Sequence, residues 1–116
     1  MTAALLNLEL DKGSTWKHTF KLNQGKSSVP MDLTGYTAKM QIRKSATSPT
    51  VLFELSTLNG RLIIEHPGVL KILVTDEDTG DMTFNSAVYD LEITSADGET
   101  TRIVQGTITA TQQVTR

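Results

Sequence analysis

The sequence contains no cysteine, which excludes disulfide bridges and metal sites built on thiolates. It has no run of about 18 apolar residues, the length that a membrane-spanning helix needs. Its N-terminus lacks the basic start and long apolar centre of a signal peptide, so no signal peptide is expected. With 11 basic and 13 acidic residues, the formal charge of −2 offers no attraction for nucleic acid or for an anionic membrane.

Sequence motifs of enzyme active sites are absent as well. There is no Gly-x-Ser-x-Gly sequence, phosphate-binding loop or dinucleotide fingerprint. Neither His18 nor His66 has a carboxylate at helical spacing, which argues against a zinc site. We therefore expect a protein that is not an enzyme, with no catalytic residue, metal, cofactor or small-molecule substrate.

The acidic stretch at residues 75–81 is the one concentrated group of ligand-type oxygens. An EF-hand loop that began at Asp76 would need glycine at its sixth position and glutamate at its twelfth. The sequence has Asp81 and Ala87 there, so it does not encode an EF-hand. Thr75 followed by Asp78 predicts a helix cap and one short helical turn, and an incidental calcium site is the alternative.

The strongest structural signal is a hairpin over residues 86–109. Asp97-Gly98 between two alternating segments predicts a type I′ turn, which requires positive φ at both residues. That turn fixes the register of the two strands and places the Tyr89 ring over Gly106, which has no side chain. The predicted pairs on the apolar face are Leu91 with Val104, Tyr89 with Gly106, and Ala87 with Ile108.

Further alternating segments predict about eight short strands in all. Residues 15–22 place Trp16, His18, Phe20 and Leu22 on one face, and residues 36–43 place Ala38, Met40 and Ile42 inward. Asn59-Gly60 predicts a second tight turn with Leu55 opposite Ile64, followed by a meander through a turn at Pro67-Gly68. The sequence thus predicts an all-β fold, a single domain over residues 1–116. The alanine, tyrosine and leucine at 87, 89 and 91 favour an immunoglobulin-like antiparallel β-sandwich over a barrel.

Two kinds of side chain are candidates for contacts with other molecules. Residues 1–10 form either the first strand of the domain or an assembly arm, and they carry four leucines, at Leu5, Leu6, Leu8 and Leu10. Trp16 and Tyr36, with Tyr89, either fill a core or an interface, or form a platform on which a sugar stacks. The alternating Lys17, Lys21, Lys39 and Arg43 would form a basic stripe if their strands were neighbours, although a solvated sheet face is the default interpretation.

Four segments together resemble one family. They are residues 8–16 (LELDKGSTW), 32–43 (DLTGYTAKMQIR), 89–93 (YDLEI) and 102–109 (RIVQGTIT). In order and spacing they are similar to small structural proteins of bacteriophage and prophage virions. The opening strand and the Asp-Leu-Thr-Gly-Tyr corner are also similar to N-terminal domains of baseplate proteins that anchor receptor-binding proteins.

The resemblance implies a non-enzymatic virion component, made in the host cytoplasm, that belongs to the tail, the baseplate or the tail-fibre attachment. Its expected partners are other virion proteins, and a homo-oligomer or symmetric multi-copy assembly is expected. Nucleic acid and membranes are not expected partners. The alternatives are a capsid decoration protein and, from a different class, a carbohydrate-binding module that recognises host surface glycan.

Overall fold

A computed structural model describes residues 3–25 and 27–112. Within these residues the chain forms nine strands and one short helix. Their bounds are β1 Ala4–Leu5, β2 Leu8–Asp11, β3 Trp16–Lys21, β4 Thr37–Arg43, β5 Phe53–Ser56, β6 Leu62–Glu65, β7 Val69–Val74, α1 Asp76–Gly80, β8 Ser86–Thr94 and β9 Thr100–Thr111. The first two residues of the predicted N-terminal arm, and the last four of the predicted domain, lie outside the described part.

The strands form two sheets with the connectivity of an immunoglobulin-like sandwich. The long sheet has the order β1-β9-β8-β4-β5, with β2 also paired to β9, and the short sheet has the order β3-β7-β6. These orders correspond to the G-F-C-C′ and B-E-D strands of immunoglobulin domains. The prediction of an all-β sandwich is confirmed, but the sheet is not antiparallel throughout, because β1 and β2 run parallel to β9.

The hairpin of β8 and β9 has the predicted register along most of its length. Leu91 faces Val104, Tyr89 faces Gly106, and Ala87 faces Ile108. The predicted type I′ turn is wrong: among the described residues only glycines have positive φ, and here that is Gly98, at 88°. Its N–H donates to the Ser95 carbonyl at 2.9 Å, which closes a turn from Ser95 to Gly98.

A β-bulge explains how a different turn leads to the predicted register. Next to the turn Glu92 pairs with Arg102, whereas the predicted turn would have placed it opposite Ile103. One extra residue on β9, Ile103, then restores the predicted pairing from Leu91 onward. The bulge turns Ile103 toward the core, where it is partly buried, although its place in an ideal strand would be on the polar face.

The predicted pairing of Leu55 with Ile64 is wrong. β5 pairs with β4 in the long sheet, whereas β6 pairs with β7 in the short sheet. The tight turn at Asn59-Gly60 is present, with φ of 80° at Gly60, but it carries the chain from one sheet to the other. Leu55 and Leu62 are therefore both buried between the sheets, with exposed fractions of 0% and 1%.

The apolar faces of both sheets enclose one core. It contains the inward residues of β4, β8 and β9 together with Trp16 and Phe20 of β3 and the alternate residues of β7. Burial of each large aliphatic side chain contributes about 1.5–3 kcal/mol to folding. His18 shares the inward side of β3 but remains half-buried, and Leu22 is partly buried against the core. The alternation predicted for residues 15–22 and 36–43 is confirmed.

The predicted helical turn is confirmed as α1, and it anchors the turn between β2 and β3. The Thr75 hydroxyl accepts a hydrogen bond from the Asp78 N–H at 3.2 Å, as a helix N-cap does. The fully buried Thr79 hydroxyl donates to the Ser14 carbonyl at 2.8 Å and accepts from the Gly13 N–H at 3.0 Å.

Nowhere in the described residues is there a helix that could cross a membrane.

The chain between β1 and β2 crosses Gly106 on the side where another residue would carry its Cβ. An added Cβ would collide with the Leu6 carbonyl group. The Leu6 N–H donates to the Gln105 carbonyl at 2.9 Å, and its carbonyl accepts from the Tyr89 hydroxyl at 2.7 Å. Gly106 is therefore needed for close approach of the N-terminal segment to β9.

We expect Gly106→Ala to lower the free energy of unfolding by about 1–3 kcal/mol, because its methyl group must displace the Leu6 backbone. Gly80→Ala is the matched control, since its Cβ would meet its nearest atom, Gly13 Cα, at an ordinary 3.8 Å. Urea unfolding of both variants tests the prediction. A Gly106→Ala protein as stable as wild type would show that the segment is not held against β9.

Candidate assembly surfaces

The structure separates the four N-terminal leucines into two pairs. Leu8 and Leu10 lie in β2 with exposed fractions of 5% and 3%, and they belong to the core of the domain. Leu5 is 76% exposed and Leu6 is 38% exposed. Residues 4–5 and 8–11 are strands of the domain's own sheet, so Leu5 and Leu6 are the leucines available for contacts with another protein.

The two other candidate residues are both engaged with the domain itself. Trp16 is 6% exposed and lies in the core. Tyr36 is half-buried and packs against the core beside the turn at Gly35. The burial of Trp16 leaves no exposed ring face on which a sugar could stack, so the structure does not favour the carbohydrate-binding alternative at this residue.

Leu5 borders a depression on the outer face of the long sheet, which we call the outer depression. Its volume is about 370 Å³, and its lining comes from β1, β4, β8, β9 and the loop after β4. The lining residues used below are Leu5, Gln41, Arg43, Val88, Asp90, Arg102, Gln105 and Thr107. Leu5 and the half-buried Val88 supply apolar surface, and charged side chains surround them.

Polar and charged side chains around the outer depression form contacts across the sheet. Arg102 Nε lies 3.4 Å from Asp90 Oδ2, linking β9 to β8. Arg43 donates to Gln41 Oε1 at 2.9 Å, and Gln41 donates to Glu54 Oε2 at 3.1 Å, linking β4 to β5. The rim therefore carries charges of both signs, with one ion pair between Arg102 and Asp90 and the Arg43 guanidinium bonded to the Gln41 amide. Such a surface is better suited to binding a protein than to binding a highly charged molecule.

Sequence reasoning missed this depression because its residues come from distant parts of the chain. The alternation of β8 and β9 predicts Asp90 and Gln105 on the polar face of the hairpin, which is the one available signal. The contributions of Leu5 and Arg43 depend on the order of strands in the sheet. Pairing of β1 to β9, and of β4 to β8, brings them to the same place.

Asp78, one of the acidic residues of α1, makes contacts within the domain. Its N–H donates to the hydroxyl of Thr75, the N-cap of the helix, and its carboxylate forms an ion pair with Arg61 at 3.1 Å. Across the described residues, no group of three or more His, Asp and Glu side chains could hold a metal ion.

Asp32 lies at the corner before β4. The Thr34 N–H donates a hydrogen bond to the Asp32 carboxylate at 3.0 Å, and this bond is the first cause that lowers the pKa of Asp32.

The two histidines lie apart from each other and from the acidic turn. His18 is half-buried on β3, and its ring meets Phe20 edge-on at a centroid distance of 4.7 Å. Burial lowers the pKa of His18 below its ordinary value, so the neutral form prevails at neutral pH. His66 is exposed at the turn that contains Pro67. Neither position brings a histidine to the outer depression.

The four basic residues considered as a stripe do not form one. Lys17 and Lys21 lie on β3 of the short sheet, whereas Lys39 and Arg43 lie on β4 of the long sheet. Their strands are not neighbours, which was the condition for the stripe. The lysines of β3 instead line the border of the short sheet.

The border of the long sheet at β5 is closed by side chains. The Glu54 carbonyl accepts hydrogen bonds from Asn59 Nδ2 and Arg61 Nη1, each at 3.0 Å. The Ser56 N–H donates to Asn59 Oδ1 at 2.9 Å. The Arg61 guanidinium also lies over the Phe53 ring, 4.4 Å from its centroid. These contacts occupy two of the backbone groups that another strand would need, the Glu54 carbonyl and the Ser56 N–H.

The opposite side of the sandwich is open. β3 pairs only with β7, and β2 only with β9, among the described residues. A turn of four residues joins these two strands, so the free borders of both sheets lie next to each other. Unpaired backbone donors and acceptors at such borders can accept a further strand.

Tyr89→Phe tests how firmly Leu6 is held. Burial raises the pKa of Tyr89 to about 12, above its ordinary value of 10.0. The unfolded chain therefore releases this proton first, and the stability that the phenol contributes is present below pH 10 and is lost as the pH rises toward 12. We expect Tyr89→Phe to cost about 1 kcal/mol at pH 8, through loss of the hydrogen bond to Leu6.

At pH 11 the difference between wild type and Tyr89→Phe should shrink, because only the wild type loses stability through ionisation of this phenol. Denaturant unfolding of both proteins at the two pH values measures the difference. An equal difference at both would contradict a buried phenol bonded to Leu6.

Arg61→Ala tests the closure of the β5 border. We expect the free energy of unfolding to fall by about 1–2 kcal/mol, because the variant loses bonds to Glu54 and Asp78 and the contact with Phe53. Arg102→Ala removes an arginine from a more exposed ion pair and should cost about 0.5 kcal/mol or less. Equal losses in the two variants would show that Arg61 contributes only a surface charge.

The assignment of these surfaces rests on the chain's own residues. Comparison with protein-family models and with curated proteins found no match.

Proposed function

We propose that this chain is a non-enzymatic structural component of a bacteriophage virion, a tail, baseplate or tail-fibre attachment protein that binds other virion proteins. In the sequence, the proposal rests on the four segments that resemble such proteins. In the structure they supply β2 and its turn, the corner before β4 with β4 itself, and the central parts of β8 and β9. Apart from Trp16, which begins β3, the strands they supply belong to the long sheet.

The outer depression is the observation that supports a binding role for this sheet. Apolar surface from Leu5 and Val88, surrounded by Arg43 and by the ion pair of Asp90 with Arg102, has the arrangement of a protein interface with an apolar centre and a polar rim. Leu5 is 76% exposed in the isolated chain, so a partner could bury it fully. Burial of one leucine contributes about 1.5–3 kcal/mol to association.

Reconstruction of purified particles, or of purified tails, tests the location. The proposal predicts density for this domain at the tail or at the fibre junction, with the outer depression facing a neighbouring protein. Density over the capsid lattice would instead favour the decoration alternative. Absence of the chain from particles would overturn both.

Leu5→Asp tests the surface. We expect about tenfold less of this variant in purified particles, because a carboxylate would replace the apolar contact in a buried interface. Leu58→Asp is the matched control, since Leu58 is 96% exposed at the turn after β5, and its level in particles should not change. Equal levels of both variants would exclude the outer depression as the attachment surface.

A further inference from the structure

The open side of the sandwich presents two strand borders whose free backbone groups can be assigned. In β3 the Leu22 N–H donates to the Gly68 carbonyl at 2.7 Å, toward β7. Backbone groups of an antiparallel strand alternate between its two sides. The N–H and carbonyl groups of Lys17, Thr19 and Lys21 therefore point away from β7, to the free side.

The same reasoning applies to β2. The N–H groups of Leu6 and Lys12 donate to the Gln105 and Thr111 carbonyls of the β9 side, at 2.9 and 3.0 Å. The odd-numbered residues of β2 therefore direct their backbone groups to the free side. Glu9 offers both its N–H and its carbonyl, and Asp11 offers its N–H, because the Asp11 carbonyl already accepts from Ser14 at 3.1 Å.

The side chains along these two borders carry opposite charges. Glu9 and Asp11 are exposed on the outer face of the long sheet, and Lys17 and Lys21 are exposed on the outer face of the short sheet. Two β3 strands that paired with each other in antiparallel fashion about Thr19 would bring lysine opposite lysine, which is destabilising. A β2 strand is the complementary neighbour for β3, and one chain cannot pair its own β2 with its own β3, since they belong to different sheets.

We propose that a second copy of this chain occupies the open side, with β2 of each copy paired to β3 of the other. A two-fold axis parallel to the strands would place the long sheet of each copy edge to edge with the short sheet of the other. Two continuous sheets, each with one seam, would result. The tight turn between β2 and β3 makes these strands antiparallel, and rotation about such an axis preserves strand direction. The new pairs are therefore antiparallel.

The faces of the strands agree with this arrangement. Leu8 and Leu10 of β2 point into the core, as do Trp16 and Phe20 of β3. In the joined sheets the apolar side of β2 continues the apolar side of the partner's β3, and the acidic side chains lie beside the lysines. A register with Glu9 opposite Thr19 of the second copy and Asp11 opposite Lys17 alternates the charges along the seam.

Charge reversal of one border at a time tests the proposal. We expect wild type to be a dimer by sedimentation equilibrium and light scattering. Lys17→Glu/Lys21→Glu should raise the dissociation constant about tenfold or more, because acidic side chains would then face one another across both seams. Glu9→Lys/Asp11→Lys should do the same with basic side chains.

The decisive sample is an equimolar mixture of the two charge-reversed variants. Both seams of a mixed dimer again join acidic to basic side chains, so the mixture should re-form a species of two copies. Lys39→Glu/Lys44→Glu makes the same change of net charge on exposed residues away from the open side, and it should dimerise as wild type does. Thermal unfolding of each variant confirms that it is folded.

A monomeric wild type over the concentration series, or a wild-type dimer that neither reversal weakens, would overturn the proposal. A mixture that stays monomeric after both reversals have abolished the dimer would also overturn the β2–β3 pairing. These measurements use the purified chain without virion proteins. Their failure is thus distinguishable from failure of the proposed virion role, which the particle experiments test.

Discussion

The absence of a side chain at Gly106 is the constraint on which the pairing of the N-terminal strands β1 and β2 with β9 depends. It allows the Leu6 carbonyl to approach β9, where the Tyr89 hydroxyl donates a hydrogen bond to it. The chain can then pair with β9 on both sides of this crossing, as β1 and as β2. The same crossing leaves Leu5 exposed at the margin of the outer depression, so one small residue links the stability of the sheet to its candidate binding surface.

The strand borders on the two sides of the sandwich differ in how far side chains cover them, and the difference follows from a few polar contacts. Asn59 and Arg61 bond to the Ser56 N–H and the Glu54 carbonyl on the outer border of β5, which opposes the addition of a further strand there. On the other side, the buried Thr79 hydroxyl fastens the turn between β2 and β3, and within residues 3–25 and 27–112 no strand pairs with the outer borders of these two strands. The side formed by β2 and β3 thus presents two borders of opposite charge in a fixed relation.

Local patterns in the sequence predicted most of the local structure. They failed to predict which strands pair when those strands lie far apart in the sequence. Alternation identified the buried face of β3 and β4, and the capping pattern at Thr75 identified α1. Asn59-Gly60 marks a turn in either case, because φ at Gly60 is positive whether the next strand pairs back or crosses to the other sheet. Parallel pairing of β1 with β9, and with it the outer depression, has no local signature, since it joins residues about one hundred positions apart.

The two surfaces together suggest how the chain could act in an assembly. A two-fold axis along the strands turns the long sheet of one copy to the side opposite that of its neighbour. The two outer depressions of a dimer would then face in opposite directions, each with its own Leu5 and its own polar rim. Such a dimer cannot place both depressions on one flat surface of a single partner. It would connect two partner proteins, which is the geometry of an attachment component rather than of a cover on a lattice.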